Sequence, residues 1–327
     1  MFSALLRPKS AGDLARLGVL LALAALILFG ALRYDNFISP FNILSCLRYN
    51  SMFALIALGM CFVIITGGID LSVGGVAALA SVVSAFASPY GWAAGMAAGM
   101  AAGLAFGLLN GFMITGMRIQ PFIATLAAML ASYGLALLLA DNQSVSVSYD
   151  TAFTMIGQED LLGFPIPAWI ALFAFVIGWV FLERLPAGRH VLAVGDGEAT
   201  ALLMGLKVRR IVFFVYAASG LLAGLAGTIL AAQFGAGQPT EGVGWELFAI
   251  ASVVVGGTLL TGGAGSVGAT LAGVLLLGMV FNVLNFENGL GWISLSAYWQ
   301  SVIRGLFLLV VVILQARISA RSPREAS

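Results

Sequence analysis

Charge is scarce in this sequence. Of its 327 residues only 9% are Asp, Glu, Lys or Arg, whereas a soluble domain carries about 25%. The formal net charge is +1, which is too small for the basic surface that nucleic acid requires, so nucleic-acid binding is excluded. Hydrophobic residues make up 61% of the chain, and so much apolar surface cannot face water. The composition predicts an integral membrane protein in contact with a lipid bilayer.

Lysine, histidine and cysteine are nearly absent. Neither Lys9 nor Lys207 stands in the glycine-rich motif of a P-loop, so the chain cannot itself be a P-loop ATPase. His190 is the only histidine, so no catalytic residue, metal site or cofactor is predicted. Cys46 and Cys61 fall on one predicted helix at a separation of roughly 22 Å, which excludes a disulfide between them.

Long apolar runs are abundant instead. A membrane-spanning helix needs about 20 apolar residues, and the runs predict an all-α membrane protein with about ten such helices. The predicted spans cover residues 17–33, 46–66, 71–88, 92–115, 121–140, 165–183, 211–233, 245–260, 267–285 and 298–316. We interpret the first as a retained helix and not as a cleaved signal peptide.

The distribution of basic residues predicts the orientation. With both termini in the cytoplasm, twelve of the fifteen Lys and Arg residues fall on the cytoplasmic side, as the positive-inside rule requires. The exceptions are Arg33, Arg48 and Arg304. Because Arg304 lies on the last predicted span it needs a partner, for which Glu246 and Glu287 are the candidates. An even number of spans is required, and eight would satisfy this rule as well as ten.

Two connections exceed the length of a turn. Residues 141–164 contain no Lys or Arg and are predicted to be extracytoplasmic, whereas residues 184–210 contain five and are predicted to be cytoplasmic. Neither is long enough for a separate domain. Residues 1–327 are therefore predicted to form a single transmembrane domain.

Glycine recurs every fourth residue in one run, at Gly91, Gly95, Gly99, Gly103 and Gly107. Small residues at this spacing form a smooth helix face, and lipid supplies no hydrophobic force between helices, so close backbone contact must hold them together. We interpret the row as a helix-packing face; the alternative is a glycine-lined permeation path.

Asp70 is the only charged residue between Arg48 and Arg118, within "TGGIDLSVGG" (66–75). A bare carboxylate in mid-bilayer costs about 2.5–3.5 kcal/mol. The cost falls if the carboxylate accepts a hydrogen bond from the backbone N–H of Ser72 or Val73 at the start of a helix. A role in a transport path or gate and a proton-carrying role are the alternatives. A second stretch, "TGGAGSVGAT" (261–270), resembles it weakly in sequence, as an internal repeat would.

The second informative stretch is "AVGDGEATALLMGLKVRRI" (193–211). Residues 195–197 predict a turn, followed by a short helix over 198–206 with Asp196 or Gly197 near its N-cap. At helical spacing its apolar face consists of Ala199, Leu202 and Leu203. A short amphipathic helix of this kind lies on lipid or docks into a groove of a soluble partner.

A few polar side chains within the predicted spans are candidates for lining a path or gate. They are Asp70, Ser72, Asn110, Thr125, Asn282 and Asn285. The alternative for each is a hydrogen bond between helices.

The chain resembles the membrane subunit of bacterial ABC importers for monosaccharides, the ribose, xylose, arabinose and galactofuranose group. The resemblance spans nearly the whole chain in four collinear blocks: "ALGMCFVIITGGIDLSVGGVAAL" (57–79), "GLLNGFMITGMRIQPFIATLAAM" (107–129), "AVGDGEATALLMGLKV" (193–208) and "GVGWELFAIASVVVGGTLLTGGAGSVGATLAGVLLLG" (242–278).

The resemblance implies a permease subunit in the bacterial inner membrane, with a fold similar to vitamin-B12-type importer permeases. It implies four kinds of partner: a cytoplasmic ATPase dimer that binds the ATP, a periplasmic sugar-binding protein, a second permease copy or sibling permease, and the bilayer. The family's ATPase-coupling helix maps onto 196–206, with Asp196, Gly197, Glu198, Ala199 and Gly205 at matching positions and Leu202 on the apolar face. Two alternatives are a proton-coupled secondary transporter using Asp70 and a membrane scaffold without transport activity.

Overall fold

The structure is a computed structural model that describes residues 11–290 together with 299, 302, 303, 305, 306 and 309. In this part of the chain the fold is a bundle of helices with four two-residue strands. In chain order the elements are α1 (Ala11–Arg33), α2 (Pro40–Ile65), α3 (Val73–Ala87), α4 (Trp92–Thr115), α5 (Pro121–Leu139), β1 (Val145–Ser146), α6 (Met155–Gln158), β2 (Asp160–Leu161), β3 (Phe164–Pro165), α7 (Ile166–Arg184), α8 (Pro186–Asp196), α9 (Glu198–Leu203), α10 (Val208–Phe234), β4 (Ala236–Gly237), α11 (Trp245–Val255) and α12 (Val267–Leu290).

Nine of the ten predicted membrane-spanning segments can be compared with the structure. Nine of the ten predicted spans coincide with one apolar helix each, and the tenth, 298–316, lies largely outside the described residues. Within the described residues, seven helices are long and apolar enough to cross a membrane: α2, α3 together with the helical turn that extends it to Tyr90, α4, α5, α7, α10 and α12. The apolar part of α1 and all of α11 are shorter. The chain is thus a mostly helical multi-pass membrane protein, and the total of about ten spans stays a prediction.

The long helices alternate in direction between two ends of the bundle. At one end, which we call the α9 end, α2 finishes and α3 begins beside α8 and α9: Gly195 of α8 packs against the carbonyl of Ile65. At the other end, the hairpin end, Ser88 after α3 accepts a hydrogen bond from the backbone N–H of Ser148 over 2.8 Å. Strands β2 and β3 form an antiparallel hairpin there.

Helix α2 lies at the centre of the bundle. Every residue from Asn50 to Ile65 is buried, and α7, α10, α11 and α12 all pack against α2. A helix that is apolar on all sides lies either in a protein core or in contact with lipid, and the burial of α2 shows that this part of it is surrounded by protein. Helices α4 and α5 lie further out and pack against α3.

Helices α4 and α10 meet backbone to backbone. A side chain on Gly103 would overlap the carbonyl oxygen of Gly220, and a side chain on Gly220 would overlap that of Gly103. Gly107 is packed in the same way against Tyr216, whereas Gly91 at the N-cap of α4 has nothing within 4 Å of a Cβ. The packing interpretation is confirmed for the row from Gly95 onward. The glycine-lined path is wrong, because the glycines leave no space between the two helices.

The predicted span 245–260 is shorter than expected. Its helix, α11, ends at Val255, and its 11 residues cover about 16 Å, half of a bilayer core. The chain reaches its start through residues 235–244, which run along α3: Gly237 packs against Val82, and Gly242 packs against Gly74. Non-helical backbone at membrane depth is tolerated only where protein or a water-filled cavity surrounds it.

Two arginines that break the positive-inside rule find partners at the hairpin end. The Arg48 guanidinium lies 2.6 Å from the Asp160 carboxylate, and Nε of Arg33 lies 3.7 Å from Oε1 of Glu287. Arg304 lies outside the described residues, so its predicted pairing with Glu246 or Glu287 is open.

Candidate coupling and translocation sites

Asp70 lies in the turn between α2 and α3 and is 1% exposed. Its Oδ1 accepts hydrogen bonds from the backbone N–H of Ser72 at 3.0 Å and from the Ser72 hydroxyl at 2.6 Å. Its Oδ2 accepts from the hydroxyl of Ser219 on α10 at 2.8 Å. The predicted hydrogen bond from Ser72 N–H is confirmed. Ser219 was missed, because nothing in the sequence marks it as a neighbour of Asp70.

Two more predicted site residues join this cluster. The Asn110 amide of α4 donates to the Ser72 hydroxyl at 2.8 Å, and the Thr125 hydroxyl of α5 lies 3.3 Å from the Ile69 carbonyl oxygen. Asn110, Thr125 and Ser72 are all buried. The structure thus brings four of the six predicted path residues into one network, which fastens the α2–α3 turn to α4, α5 and α10. The network lies inside the protomer, and none of its side chains lines the two cavities described below.

The predicted coupling segment forms two helices. The predicted turn over 195–197 is wrong, because α8 continues through Asp196 before the chain becomes extended at Gly197. Pro186 at the first position of α8 fixes the backbone angle that begins a helix. Gly197 is the N-cap of α9, as predicted, and Glu198 stands in its first turn, where a carboxylate favours the helix dipole.

Helix α9 ends sooner than predicted, at Leu203. Gly205 has a φ of +78°, a left-handed conformation that glycine adopts without strain. The N–H of Leu206 bonds to the carbonyl of Ala201 over this glycine at 3.0 Å, as in a Schellman cap. The family position Gly205 is therefore explained by helix termination.

The apolar face of α9 points away from the bundle. Leu203 is 89% exposed, Met204 69% and Leu202 55%, whereas Ala201 is 1% exposed and packs with Val194 and Val208. Asp196, Glu198 and Ala199 are also exposed. Large apolar side chains grouped on a surface mark an interaction site, so this face is available to a partner or to lipid.

Behind α9 three backbone segments touch. A side chain on Gly195 would overlap the carbonyl oxygen of Ile65, one on Gly262 would lie 2.9 Å from the Gly67 nitrogen, and one on Gly263 would lie 2.9 Å from the Asp196 Cα. The Gly263 N–H donates to the Ile65 carbonyl at 2.9 Å. We call this contact the glycine junction. The junction brings together the two similar stretches that begin with "TGG", residues 66–75 and 261–270.

A cavity of about 980 Å³ opens beside α9. Its lining includes Gly67, Tyr216 and Glu198, together with four basic residues, Arg118, Lys207, Arg209 and Arg210. The α9 end is thus strongly basic, which agrees with its predicted cytoplasmic location.

The remaining predicted path residues lie at the hairpin end. Asn282 and Asn285 line a separate cavity of about 820 Å³ between α1, α2, α10 and α12. Nearby, the Tyr34 hydroxyl donates to Oε1 of Glu287 at 2.7 Å. Burial, followed by this bond, raises the pKa of Tyr34 to about 12, so its hydroxyl stays a donor at neutral pH.

The sequence was compared with protein-family models and with known proteins. Residues 42–312 match the family model described as "Branched-chain amino acid transport system / permease component". The ribose import permease protein RbsC of Bacillus subtilis (strain 168) is 43% identical over 312 residues, which cover 94% of this chain and 95% of the relative. The L-arabinose transport system permease protein AraH of Escherichia coli (strain K12) is 36% identical over 94% of this chain and 93% of its own length.

A third relative is the D-allose transport system permease protein AlsC of Escherichia coli (strain K12), which is 33% identical over 92% of both chains. No solved structure matches the chain significantly.

Proposed function

The chain belongs to the family of branched-chain amino acid transport system permease components, and we propose that it is the permease subunit of an ATP-driven importer for a monosaccharide. Relatives named as permeases for ribose, L-arabinose and D-allose match at least 92% of the chain, and this near-complete match carries the proposal. The protein is a multi-pass component of the bacterial inner membrane.

The proposed partner at the α9 end is a cytoplasmic ATPase dimer, which binds the ATP. Leu202, Leu203 and Met204 supply an apolar surface of the kind that a groove on a soluble protein accepts. The alternative for this surface is contact with lipid, with which the basic lining of the neighbouring cavity is also compatible. We favour the ATPase because the relatives are permeases of import systems. This assignment puts the α9 end in the cytoplasm.

The proposed coupling runs from α9 through the glycine junction. Residues Asp196 and Gly197 connect α9 to the point where α8 touches Ile65 and Gly263. The turn beyond Ile65 leads to Asp70, whose hydrogen bonds reach α3 and α10. A displacement of α9 by the ATPase would thus act on α2, α3 and α10. This requires that the contacts between α9 and the ATPase differ between the two states of the ATPase.

The remaining partners are proposed at the other face and at the side of the bundle. A periplasmic sugar-binding protein would deliver the sugar to the hairpin end, and a second permease copy or a sibling permease would complete the path. We propose that Asp70, Ser72, Asn110 and Thr125 hold the gate region in register and that Asn282 and Asn285 face the sugar.

Reconstitution tests the proposal. The permease is co-expressed with its ATPase, placed in proteoliposomes and supplied with a sugar-loaded binding protein, and uptake of radiolabelled sugar is measured with ATP or with a non-hydrolysable analogue. Uptake that requires ATP hydrolysis and all three components supports the proposal. Uptake by the permease alone under a pH gradient would instead show a proton-coupled transporter, and a complex without any sugar uptake would favour a scaffold.

A further inference from the structure

The cavity at the hairpin end differs from the others in its chemistry. It encloses about 820 Å³, within the range of small-molecule sites. Carboxamides dominate its polar lining: Asn42, Asn50, Gln233, Asn282 and Asn285. A carboxamide offers both donors and an acceptor. Five of them around one space in a membrane protein favour a polar occupant over a lipid chain, because burying polar groups against hydrocarbon is costly.

The side-chain oxygen of Gln233, one of these carboxamides, lacks a hydrogen-bond donor. Oε1 of Gln233 is buried and has no hydrogen-bond partner among the described residues. Leaving a buried acceptor unpaired costs about 1–3 kcal/mol. Gln233 lines the cavity, and a turn of its amide would bring this oxygen to the cavity surface, where a ligand hydroxyl can donate to it.

A reciprocal amide pair bridges two helices across the cavity. Asn42 of α2 donates to Asn282 of α12 at 3.2 Å, and Asn282 donates back at 2.8 Å. Asn42 also donates to the Phe37 carbonyl at 2.7 Å. Both partners of such a pair can turn to a ligand hydroxyl without a change of charge, since each amide keeps a donor and an acceptor.

The lining also indicates which ligands do not fit. None of the lining residues of this cavity is Lys, Arg or His, so an anion finds no counter-charge, and Asp35 is the only carboxylate. The lining also contains aromatic rings: those of Tyr34 and Phe286 lie 5.3 Å apart. Amides together with aromatic rings suit a neutral ligand with hydroxyl groups and an apolar face.

We propose that this cavity is a vestibule that binds the monosaccharide after its delivery, with Gln233 and the Asn42–Asn282 pair as its hydrogen-bonding groups. This inference rests on the proposed function, because it places the hairpin end on the side where the sugar arrives. We expect the site to have low affinity, since a sugar held tightly there would not move on.

The chain contains a built-in probe for this site. Cys46 lines the cavity and is partly exposed, whereas the second cysteine, Cys61, is 0% exposed. A charged, membrane-impermeant methanethiosulfonate reagent, applied to the reconstituted complex from the hairpin side, should modify Cys46 in the wild-type protein. Cys46→Ser is the control and should remain unlabelled.

D-ribose, L-arabinose and D-allose are then tested as protectants, with betaine at equal osmolarity as the blank. The transported sugar should slow the modification of Cys46 roughly tenfold at ten times its half-protecting concentration, because only the empty cavity reacts. A modification rate that none of the three sugars changes, in a complex that takes one of them up with ATP, would overturn the vestibule and leave the proposed function intact. No modification of Cys46 at all would overturn it equally.

A second variant separates binding from folding. Gln233→Leu removes the unpaired acceptor at similar volume and should raise the half-protecting sugar concentration roughly three- to tenfold. Gln143→Leu is the matched control, since Gln143 is an exposed glutamine at the same end outside the cavity. An equal effect of both substitutions, or none from Gln233→Leu, would contradict the assigned role of Gln233.

Discussion

Ser219 donates a hydrogen bond to Asp70 over 2.8 Å, although 149 positions separate the two residues in the chain. With the two bonds from Ser72, it gives both carboxylate oxygens a donor inside the protein. A carboxylate bound in this way holds a turn in place and is poorly placed to carry protons along a path. This distinction is open to experiment.

Asp70→Asn should destabilise the permease without changing the pH dependence of transport. The amide keeps only one acceptor oxygen, so a buried donor loses its partner at a cost of about 1–3 kcal/mol. A lower thermal unfolding midpoint in detergent and a proportional loss of folded protein would show this effect.

Ser219→Ala is the companion variant for Asp70, and it should cost less because the carboxylate keeps both bonds from Ser72. If Asp70→Asn kept full stability but removed a pH dependence of uptake, the carboxylate would be a proton carrier and the structural role would be wrong.

Gly103→Val should prevent the native packing of α4 on α10. Its side chain would overlap the Gly220 carbonyl and the Gly224 backbone, and contacts of this kind supply the attraction between membrane helices. We expect little folded protein by size-exclusion chromatography. Gly134→Val on α5 is the control, since a Cβ there meets nothing within 4 Å. Equal yields of the two variants would contradict the α4–α10 contact.

Gly195→Ala should disturb the glycine junction. The added methyl group would overlap the Ile65 carbonyl, so α8 and the α2–α3 turn must separate. We expect normal co-purification with the ATPase and a large loss of sugar uptake per ATP hydrolysed. Gly268→Ala, at a neighbouring glycine with open space around it, should behave like the wild type. Tight coupling in Gly195→Ala would show that the junction carries no motion.

Leu203→Asp should weaken the ATPase complex without affecting the fold. Leu203 is 89% exposed in the isolated protomer, whereas burial of a leucine in a partner groove contributes about 1.5–3 kcal/mol. The variant should therefore bind its ATPase roughly 10- to 100-fold more weakly, measured by retention on an affinity-tagged ATPase.

The control for Leu203→Asp is Leu162→Asp. Leu162 is 84% exposed in the β2–β3 hairpin at the opposite end. Its replacement should leave the ATPase complex unchanged. If both variants, or neither, lost the ATPase, α9 would not be the docking helix.

Features of the structure that depend on local composition and spacing could be predicted from the sequence. Apolar runs of 17 or more residues identified the long helices, and the spacing of Gly95, Gly99, Gly103 and Gly107 identified a packing face, because both signals follow from helix geometry and from lipid as the solvent. The short helix after Gly197 was predicted for the same reason, from its N-cap and from the amphipathic pattern that follows it.

What depends on contacts between distant segments was not predicted. Residues 195–197 look like a turn because of their two glycines, yet Gly195 is helical and small because Ile65 lies against it. Helix α11 stops at Val255 because the following Gly256 and Gly257 form the turn toward the junction, while its start is set by the packing of residues 235–244 on α3. Polar residues such as Asn110 and Asn282 look alike in sequence, and only the fold separates a buried network from a cavity wall.

The glycine junction has a mechanical consequence. Main chains that touch directly have no rotamers between them, so nothing at this contact can yield by a side-chain flip. Gly263 packs against Asp196 and is hydrogen-bonded to Ile65 over 2.9 Å, so a push of Asp196 toward Gly263 acts directly on the main chain that is bonded to α2. We therefore expect the junction to be stiff, so that a small displacement of α9 toward it is passed to α2 with little loss at this contact.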